Sequence, residues 1–210
     1  MQQPGRSDNE TRETILRTAA NLFLERGYAK TKVMDIVKVA GITPSTMYWH
    51  FESKGDLLFE YLRANINDFN AIIAEAIEGI DDPVERLRTL AVAHTTAQLS
   101  FREQAQVVLS MTRASAELIA ALPKERADEV NELIRVHVDV TKQTVDRGIE
   151  QGIFRVPDAH ALTFAVLNIC ENAAPWFRPG GSLTIEAVAT ANGEFAVRMA
   201  VGADRPTPHA

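Results

Sequence analysis

The segment TKVMDIVKVAGITPSTMYWHFESK, residues 31–54, decides the fold of this chain. Its apolar residues recur at the spacing of one helix face, first before Gly41 and again after it. Thr43 is a favoured N-cap residue and Pro44 suits the first helical position, so a second short helix is predicted to begin there and to end near His50. The turn between the two helices needs a residue that tolerates positive φ, and Gly41 supplies it. The pattern predicts a helix-turn-helix.

The second helix of this pair has a face that suits contact with nucleic acid. Met47 and Phe51 lie four residues apart and are predicted to point inward. The side chains that then face outward include Pro44, Ser45, Thr46 and Trp49. A helix in the major groove must approach base edges closely, and small outward residues permit that approach. Tyr48 and His50 can hydrogen-bond phosphate oxygens, and Lys54 can do so beside the free N–H groups that open the next helix.

Thr31 and Lys32, at the start of the first helix of the pair, are further candidates for phosphate contact. Other interpretations stay open, since an exposed Trp49 could belong to a protein-contact patch and Lys54 could be a solvated charge. A metal role for His50 is disfavoured, because no Cys, His or carboxylate partner lies at the spacing of metal ligands.

The rest of the chain is also predicted to be helical, because its apolar residues keep a 3.6-residue period and prolines and glycines fall between the periodic segments. Without strand alternation or internal repeats, the pattern predicts an all-α fold of about nine helices. The predicted helices span about 9–26, 31–40, 43–50, 53–78, 83–99, 101–122, 123–151, 158–174 and 183–200. They divide into an N-terminal three-helix domain (residues 1–54) that contains the helix-turn-helix, a larger helical domain (55–203) and a polar, Pro-rich tail (204–210) that is predicted to be disordered.

Charge and composition narrow the classes of function. The 210 residues carry a formal net charge of −6, but residues 1–60 are neutral, with 8 basic and 8 acidic side chains, so the whole acidic excess lies beyond them. A neutral N-terminal segment in an otherwise acidic protein suits a protein that binds phosphates through one face of that segment. The single cysteine excludes a disulfide framework within the chain. No signal-like segment and no apolar run of roughly 18 residues is present, which predicts a cytoplasmic protein without membrane insertion.

Residues 14–59 resemble the DNA-binding domain of the TetR family of transcriptional regulators. The matching elements are Ala19–Ala20 with Leu22–Phe23, Arg26-Gly27-Tyr28, Thr31 with Ile36, Ala40-Gly41, Thr46 through Phe51, and Ser53-Lys54. The Tyr-x-His-Phe-x-x-Lys core is highly specific to this family. Over the rest of the chain the likeness lies in helix count and architecture.

The resemblance implies a homodimer that places each recognition helix in one half of a palindromic operator and is released by a small effector. By position it implies base-edge contacts from the first three residues of that helix and phosphate contacts from residues around it. The predicted DNA-binding residues are Thr31, Lys32, Thr43, Pro44, Ser45, Thr46, Tyr48, Trp49, His50 and Lys54. Lys32 and Trp49 depart from the residues common in the family, so we expect an altered sequence preference. Repression is expected because it is the usual action of the family.

The last two predicted helices carry apolar stripes that suggest pairing with a second copy in a four-helix interface. Alternatively, these stripes form the core of the chain itself. The predicted interface residues are Leu162, Val166, Ile169, Ala173, Val188, Phe195 and Met199. An operator with two half-sites about 34 Å apart also requires two copies of the N-terminal three-helix domain.

A small, largely apolar effector is expected among the central helices, because aromatic side chains with a few polar groups are typical of small-molecule pockets. The candidate lining residues are His94, Gln98, Phe101, Met111, His137, Phe164, Asn168 and Trp176. Each could instead be an ordinary core or surface position. Residues 177–184 resemble the last interhelical connection of a TetR subgroup that senses acyl-CoA or steroid-derived thioesters. The matching face of the preceding helix lacks a basic group for CoA phosphates, so that ligand is not carried over.

Two other classes of function are disfavoured. There is no Gly-rich phosphate loop, zinc spacing or nucleophile elbow, so no catalytic residue, metal or cofactor is predicted. A dimeric carrier that has lost DNA binding is disfavoured by the intact segment 43–54. Binding to DNA releases counterions, so a DNA-binding regulator should be retained on DNA or heparin and should elute steeply as salt rises. An enzyme or a carrier should not show this behaviour.

Overall fold

The computed structural model describes residues 7–104 and 119–202, and these residues form eight α-helices. The helices are α1 (Asp8–Arg26), α2 (Val33–Ala40), α3 (Pro44–His50), α4 (Lys54–Ala76), α5 (Pro83–Gln104), α6 (Lys124–Glu150), α7 (Ala159–Glu171) and α8 (Ile185–Val201). The all-α class is confirmed, with about nine helices predicted. The predicted break near residue 100 is wrong: α5 runs on to Gln104, since neither Gly nor Pro interrupts it there. The remainder of the predicted helix 101–122 lies mostly outside the described residues, as does the tail.

The chain forms two compact units. Within the described residues, unit 1 comprises 7–66 and 119–132, and unit 2 comprises 67–104 and 133–202. Helices α4 and α6 each contribute to both units. The domain boundaries 1–54, 55–203 and 204–210 remain predictions about function.

Unit 1 contains the predicted helix-turn-helix. Ser7 and Glu10 form the expected capping box at the start of α1, with Ser7 N–H donating to Glu10 Oε2 at 2.8 Å. Gly41 ends α2 with φ 68°, in the left-handed region that its missing Cβ makes accessible. Met47 and Phe51 are buried, as predicted. The core of the unit is built from α1, α2, α3, α4 and the start of α6, and includes Ile15, Ile36, Met47, Phe51, Leu57, Leu58 and Val130.

Helix α2 begins slightly later than its predicted start near residue 31. The N-cap is Lys32 and not Thr31, and the Lys32 N–H donates to Asp35 Oδ2 at 3.0 Å. The Thr31 hydroxyl does not cap the helix; it hydrogen-bonds with the backbone oxygens of Leu22 and Gly27, at 3.0 and 2.9 Å.

Unit 2 is organised around α5, which packs against both α7 and α8. Its larger core joins α5, α6, α7 and α8 and includes Leu87, Ala91, Val145, Phe154, Leu162, Val166, Cys170, Ala196 and Ala200. A smaller core consists of Ile73, Ile77 and Leu90, with Phe69, Ala93 and Val140 packed against it. Among the described helices, none is both long and apolar enough to cross a membrane.

Candidate DNA interface and effector site

The recognition helix α3 begins as the sequence predicts. Thr43 is its N-cap, and the Thr43 Oγ1 accepts a hydrogen bond from the backbone N–H of Thr46 at 3.1 Å. The two threonine hydroxyls also hydrogen-bond each other, with 2.8 Å between their Oγ1 atoms. Pro44 occupies the first turn, where its missing N–H leaves no hydrogen bond unmade. The start of α3 is therefore preorganised.

The exposed face of α3 is formed by the residues that were expected to reach DNA. Thr43, Pro44 and Ser45 are exposed and Thr46 is half-buried. The Tyr48 side chain is 57% exposed and that of Trp49 is 79% exposed, which is unusual for large aromatic residues in a single chain. Both rings are thus available to a partner.

The Lys54 ammonium is held by hydrogen bonds within the protein, which distinguishes it from a fully solvated charge. Its Nζ donates to the backbone oxygens of Tyr28 and Thr31, at 2.8 and 3.0 Å, and lies 4.2 Å from the centroid of the Tyr28 ring. Partial burial lowers the pKa of the Lys54 ammonium. Two of its three N–H donors bind the loop between α1 and α2, and the phosphate contact predicted for Lys54 remains a prediction.

Thr31 and His50 are less accessible than the sequence pattern indicates. Thr31 is buried, and its hydroxyl holds the end of α1 as described above. The His50 side chain is 6% exposed, and its Nε2 lies 3.6 Å from Asp8 Oδ1. Lys32, by contrast, is exposed beside the start of α2. The phosphate contacts predicted for these three residues remain predictions.

The structure brings together two of the predicted effector residues. His94 on α5 and His137 on α6 are buried, and His137 Nε2 lies 2.9 Å from His94 Nδ1 in a hydrogen bond. The Phe69 ring centroid lies 5.0 Å from each imidazole centroid. Burial lowers the pKa of His137 to about 4 and holds that of His94 well below its usual value, where the charge of His137 adds to the effect. Gln98, one turn along α5 from His94, is also buried.

The other predicted effector residues do not join this cluster. Phe164, Asn168 and Trp176 are exposed on α7 or just after it. The Asn168 amide donates to the backbone oxygen of Phe164 at 2.7 Å, a contact within its own helix. Met111 and the side chain of Phe101 lie outside what the structure describes.

The sequence analysis missed a cleft between α4 and α5. It has a volume of about 460 Å³ and is lined by Ile72, Ala76, Thr89, Val92, Ala93, Thr96, Ala97 and Ser100. Six of these residues follow one face of α5 at intervals of three and four, and all six are small or β-branched. That run of small side chains was the signal in the sequence, because small residues on a helix face leave space beside it.

The predicted dimer stripe is largely a core stripe, which is a correction. Leu162, Val166, Ala173 and Val188 are buried within the single chain, and Ile169 and Met199 are partly buried. Helix α5 packs against both α7 and α8 and covers this face. Of the seven predicted residues, only Phe195 is exposed, at 51%.

This combination of a capped, exposed recognition helix and a separate helical unit defines the class of helix-turn-helix DNA-binding regulators. Residues 15–61 match the family described as bacterial regulatory proteins, tetR family, and residues 80–200 match the tetracyclin repressor-like C-terminal domain. The chain belongs to the TetR family of transcriptional regulators, whose members are not enzymes.

Individual relatives agree over most of the chain. It is 32% identical over 183 residues to the transcriptional repressor KstR2 of Mycobacterium tuberculosis, covering 86% of this chain and 88% of KstR2. The solved structure of the TetR family regulator PfmR from Thermus thermophilus is 32% identical, with a TM-score of 0.74 over 88% of this chain and 97% of PfmR. That of AibR in complex with isovaleryl coenzyme A and operator DNA is 26% identical, with a TM-score of 0.76 over 91% and 98% of the two chains.

Proposed function

We propose that this protein is a homodimeric repressor that binds a palindromic operator and is released by a small, largely apolar effector. The observation that carries the proposal is the exposed face of α3, on which Tyr48 and Trp49 project beside a capped helix start. Tyr48, Trp49 and the capped start of α3 all lie in the segment that matches the tetR family of bacterial regulatory proteins. Because operator DNA is the proposed partner, we expect the protein to act in the cytoplasm.

Titration of operator DNA tests the proposal. The DNA immediately upstream of the gene is titrated by fluorescence anisotropy with wild type, Tyr48→Ala and Trp49→Ala. Both substitutions remove exposed rings and leave the core intact, so lost binding is a lost contact and not unfolding. Ile134→Ala, an exposed apolar residue of α6, is the matched control.

The expected result is tight, salt-sensitive binding by wild type and by the control, and loss in both α3 variants. Wild-type affinity no better than the non-specific range of roughly 10⁻⁴–10⁻⁶ M on this DNA and on a random-sequence selection contradicts the proposal.

The dimer surface that we propose lies on the exposed side of α7 and α8, opposite the face that α5 covers. Ala161, Phe164 and Asn168 follow one exposed face of α7, and Phe195 is exposed on α8. Exposed large apolar side chains such as Phe164 and Phe195 are typical of association surfaces. A charge placed there by Phe164→Glu should give a monomer by light scattering, whereas Ile134→Glu, at an exposed apolar residue of α6, serves as a control for added charge. A Phe164→Glu protein that remains dimeric contradicts this assignment.

For the effector site we propose unit 2, with the α4–α5 cleft as its apolar part. The structure of AibR, a relative of similar fold, contains isovaleryl coenzyme A, whose isovaleryl group is small and apolar. Helix α4 begins at Lys54 and reaches Ala76, which lines the cleft. A ligand that favours a different position of α4 would shift the equilibrium away from the DNA-binding form. Reciprocity then requires that operator weaken effector binding by the same factor, and independent binding would refute this coupling.

A further inference from the structure

Three buried polar atoms around the histidine pair lack a hydrogen-bond partner among the described residues. They are His137 Nδ1, Gln98 Nε2 and Asn70 Oδ1, which come from α6, α5 and α4 respectively. His137 and Gln98 are 8% and 5% exposed. Since burying a polar atom without a partner is costly, three such atoms on three adjoining helices call for an explanation.

These atoms belong to one neighbourhood of unit 2. The Asn70 amide donates to the backbone oxygen of Leu133 at 2.9 Å, and Leu133 precedes His137 by one helical turn. Phe69, next to Asn70, touches both imidazoles, and Gln98 follows His94 by one turn of α5. Phe69 also packs against the core of Ile73, Ile77 and Leu90, against which Ala93 of the cleft wall packs.

The histidine pair can offer a ligand either a hydrogen-bond donor or an acceptor at His137 Nδ1, depending on its tautomer. If His137 Nε2 carries the proton shared with His94 Nδ1, then His137 Nδ1 is an acceptor, and if His94 Nδ1 carries it, then His137 Nδ1–H is a donor. A carbonyl group selects the second tautomer and a hydroxyl group can use either. The Gln98 amide adds a donor.

The surroundings favour an uncharged ligand group. Both imidazoles are neutral near pH 7, since burial lowers their pKa. Helix α5 has no charged residue between Arg88 and Arg102, and the residues packed on the adjoining core are apolar. A carboxylate bound here would gain no positive partner from that stretch of α5 or from the adjoining core, and burying an unpaired charge is costly.

We propose that His94, His137 and Gln98 form the polar recognition element of the effector site, and that the effector carries an uncharged carbonyl or hydroxyl group on an apolar frame. The inference rests on the proposed function of unit 2 as an effector domain. It names the chemical group that the effector presents.

Matched probes test the proposal on the full-length protein. Indane, 1-indanone, 1-indanol and indane-1-carboxylate, together with the corresponding cyclohexane and decalin sets, share frames and differ in the polar group. Binding is measured by calorimetry, and long-range ¹H–¹⁵N NMR of the imidazoles reports the tautomer of each buried histidine. We expect the ketone or alcohol of at least one frame to bind about tenfold more tightly than its hydrocarbon and its carboxylate, which is the effect of one hydrogen bond. The bound ketone should move the His137 Nδ1 resonance to the protonated form.

Two variants separate recognition from folding. His137→Phe keeps a ring against Phe69 and removes both nitrogens, and Gln98→Met keeps the side-chain length without the amide. Each should lose the ketone preference while still binding the hydrocarbon, and His160→Gln, an exposed histidine, should retain the preference. If His137→Phe does not fold, Gln98→Met alone decides.

The proposal is overturned if hydrocarbon and ketone bind alike, if the carboxylate is preferred, or if no probe perturbs the His137 resonance. The last outcome would assign the unpartnered atoms to buried water. Operator titration of the same samples keeps this outcome distinct from failure of the proposed function, because DNA binding by wild type is measured independently of the probes.

Discussion

At the scale of single residues, Lys54 shows how one side chain can serve both fold and function. Its ammonium binds two backbone oxygens in the loop between α1 and α2 and lies over the Tyr28 ring. The helix-turn-helix is therefore tied to the start of α4 by a charge, and the same residue is a predicted phosphate contact. Loss of operator binding in a Lys54 variant would mix the two roles, which makes the exposed rings of α3 the cleaner test of DNA contact.

Lys54→Ala should reduce the free energy of unfolding by about 1–2 kcal/mol, because two hydrogen bonds to a charged donor are lost at a partly exposed site. Urea unfolding followed by circular dichroism measures the change. Lys38→Ala, which removes an exposed lysine from α2, should stay within about 0.5 kcal/mol of wild type. Equal effects of the two substitutions would show that the Lys54 contacts add no stability.

At the scale of helices, the stability of a helix end and the close packing beside a helix can each depend on a single side-chain atom. The Thr43 hydroxyl satisfies an N–H group of the first turn of α3, a helix of only seven residues. So short a helix has little stability of its own and depends on its cap and on buried Met47.

Thr43→Ala should cost about 1 kcal/mol of stability through loss of this cap, and Thr43→Ser should restore most of it. Operator affinity should fall with Thr43→Ala even under conditions where the protein is fully folded, since the recognition helix frays. Hydrogen exchange of the Thr46 amide measures the fraying directly. Unchanged protection of that amide in Thr43→Ala would contradict the role of the cap.

Two helical glycines provide a matched pair. A Cβ at Gly148 of α6 would lie 2.1 Å from Cδ2 of the buried Phe154 ring, whereas a Cβ at Gly55 of α4 would meet only ordinary contacts, the nearest at 3.6 Å. Gly148→Ala should therefore destabilise the protein by about 1–3 kcal/mol through overpacking. Gly55→Ala should stabilise it by up to about 1 kcal/mol, because alanine restricts the unfolded chain. Thermal unfolding of both variants tests the pair, and a loss of stability in Gly55→Ala together with a gain in Gly148→Ala would reverse the expectation.

At the scale of the whole molecule, the buried histidine pair makes stability depend on pH. In the folded state the pKa of His137 is about 4 and that of His94 lies well below its usual value, whereas unfolded histidines titrate near pH 6.5. The unfolded chain therefore binds more protons than the folded one as the pH falls from about 6.5 towards 4. The free energy of unfolding should decrease over that range, by up to about 1.4 kcal/mol per pH unit for each histidine.

Urea unfolding at pH 7.5, 6.5, 5.5 and 4.5 measures this slope. His137→Phe should flatten it, whereas His160→Gln, which changes an exposed histidine, should leave it unchanged. Carboxylates titrate alike in all three proteins and cancel in the comparison. A slope that is the same in wild type and His137→Phe would exclude the histidine pair as its source.

Most helices, the turn at Gly41, the cap of α3 and the inward direction of Met47 and Phe51 could be predicted from the sequence, although the extent of α5 was not. These features are local: periodicity, capping and backbone freedom act within a few residues, so the residues that cause them can be read directly. The family resemblance over residues 14–59 also follows from local motifs, and the family matches agree with it.

Only the tertiary structure decided what covers each helix face. An apolar stripe on α7 indicates that the helix is buried on one side, but Leu162 and Val166 do not reveal whether α5 or a second copy lies against them. Lys54 and Thr31 are held by backbone oxygens, which leave no mark in the sequence. His94 and His137 lie 43 residues apart and meet only because α5 and α6 pack together. Such contacts depend on the positions of several helices at once, and no pattern along one helix contains that information.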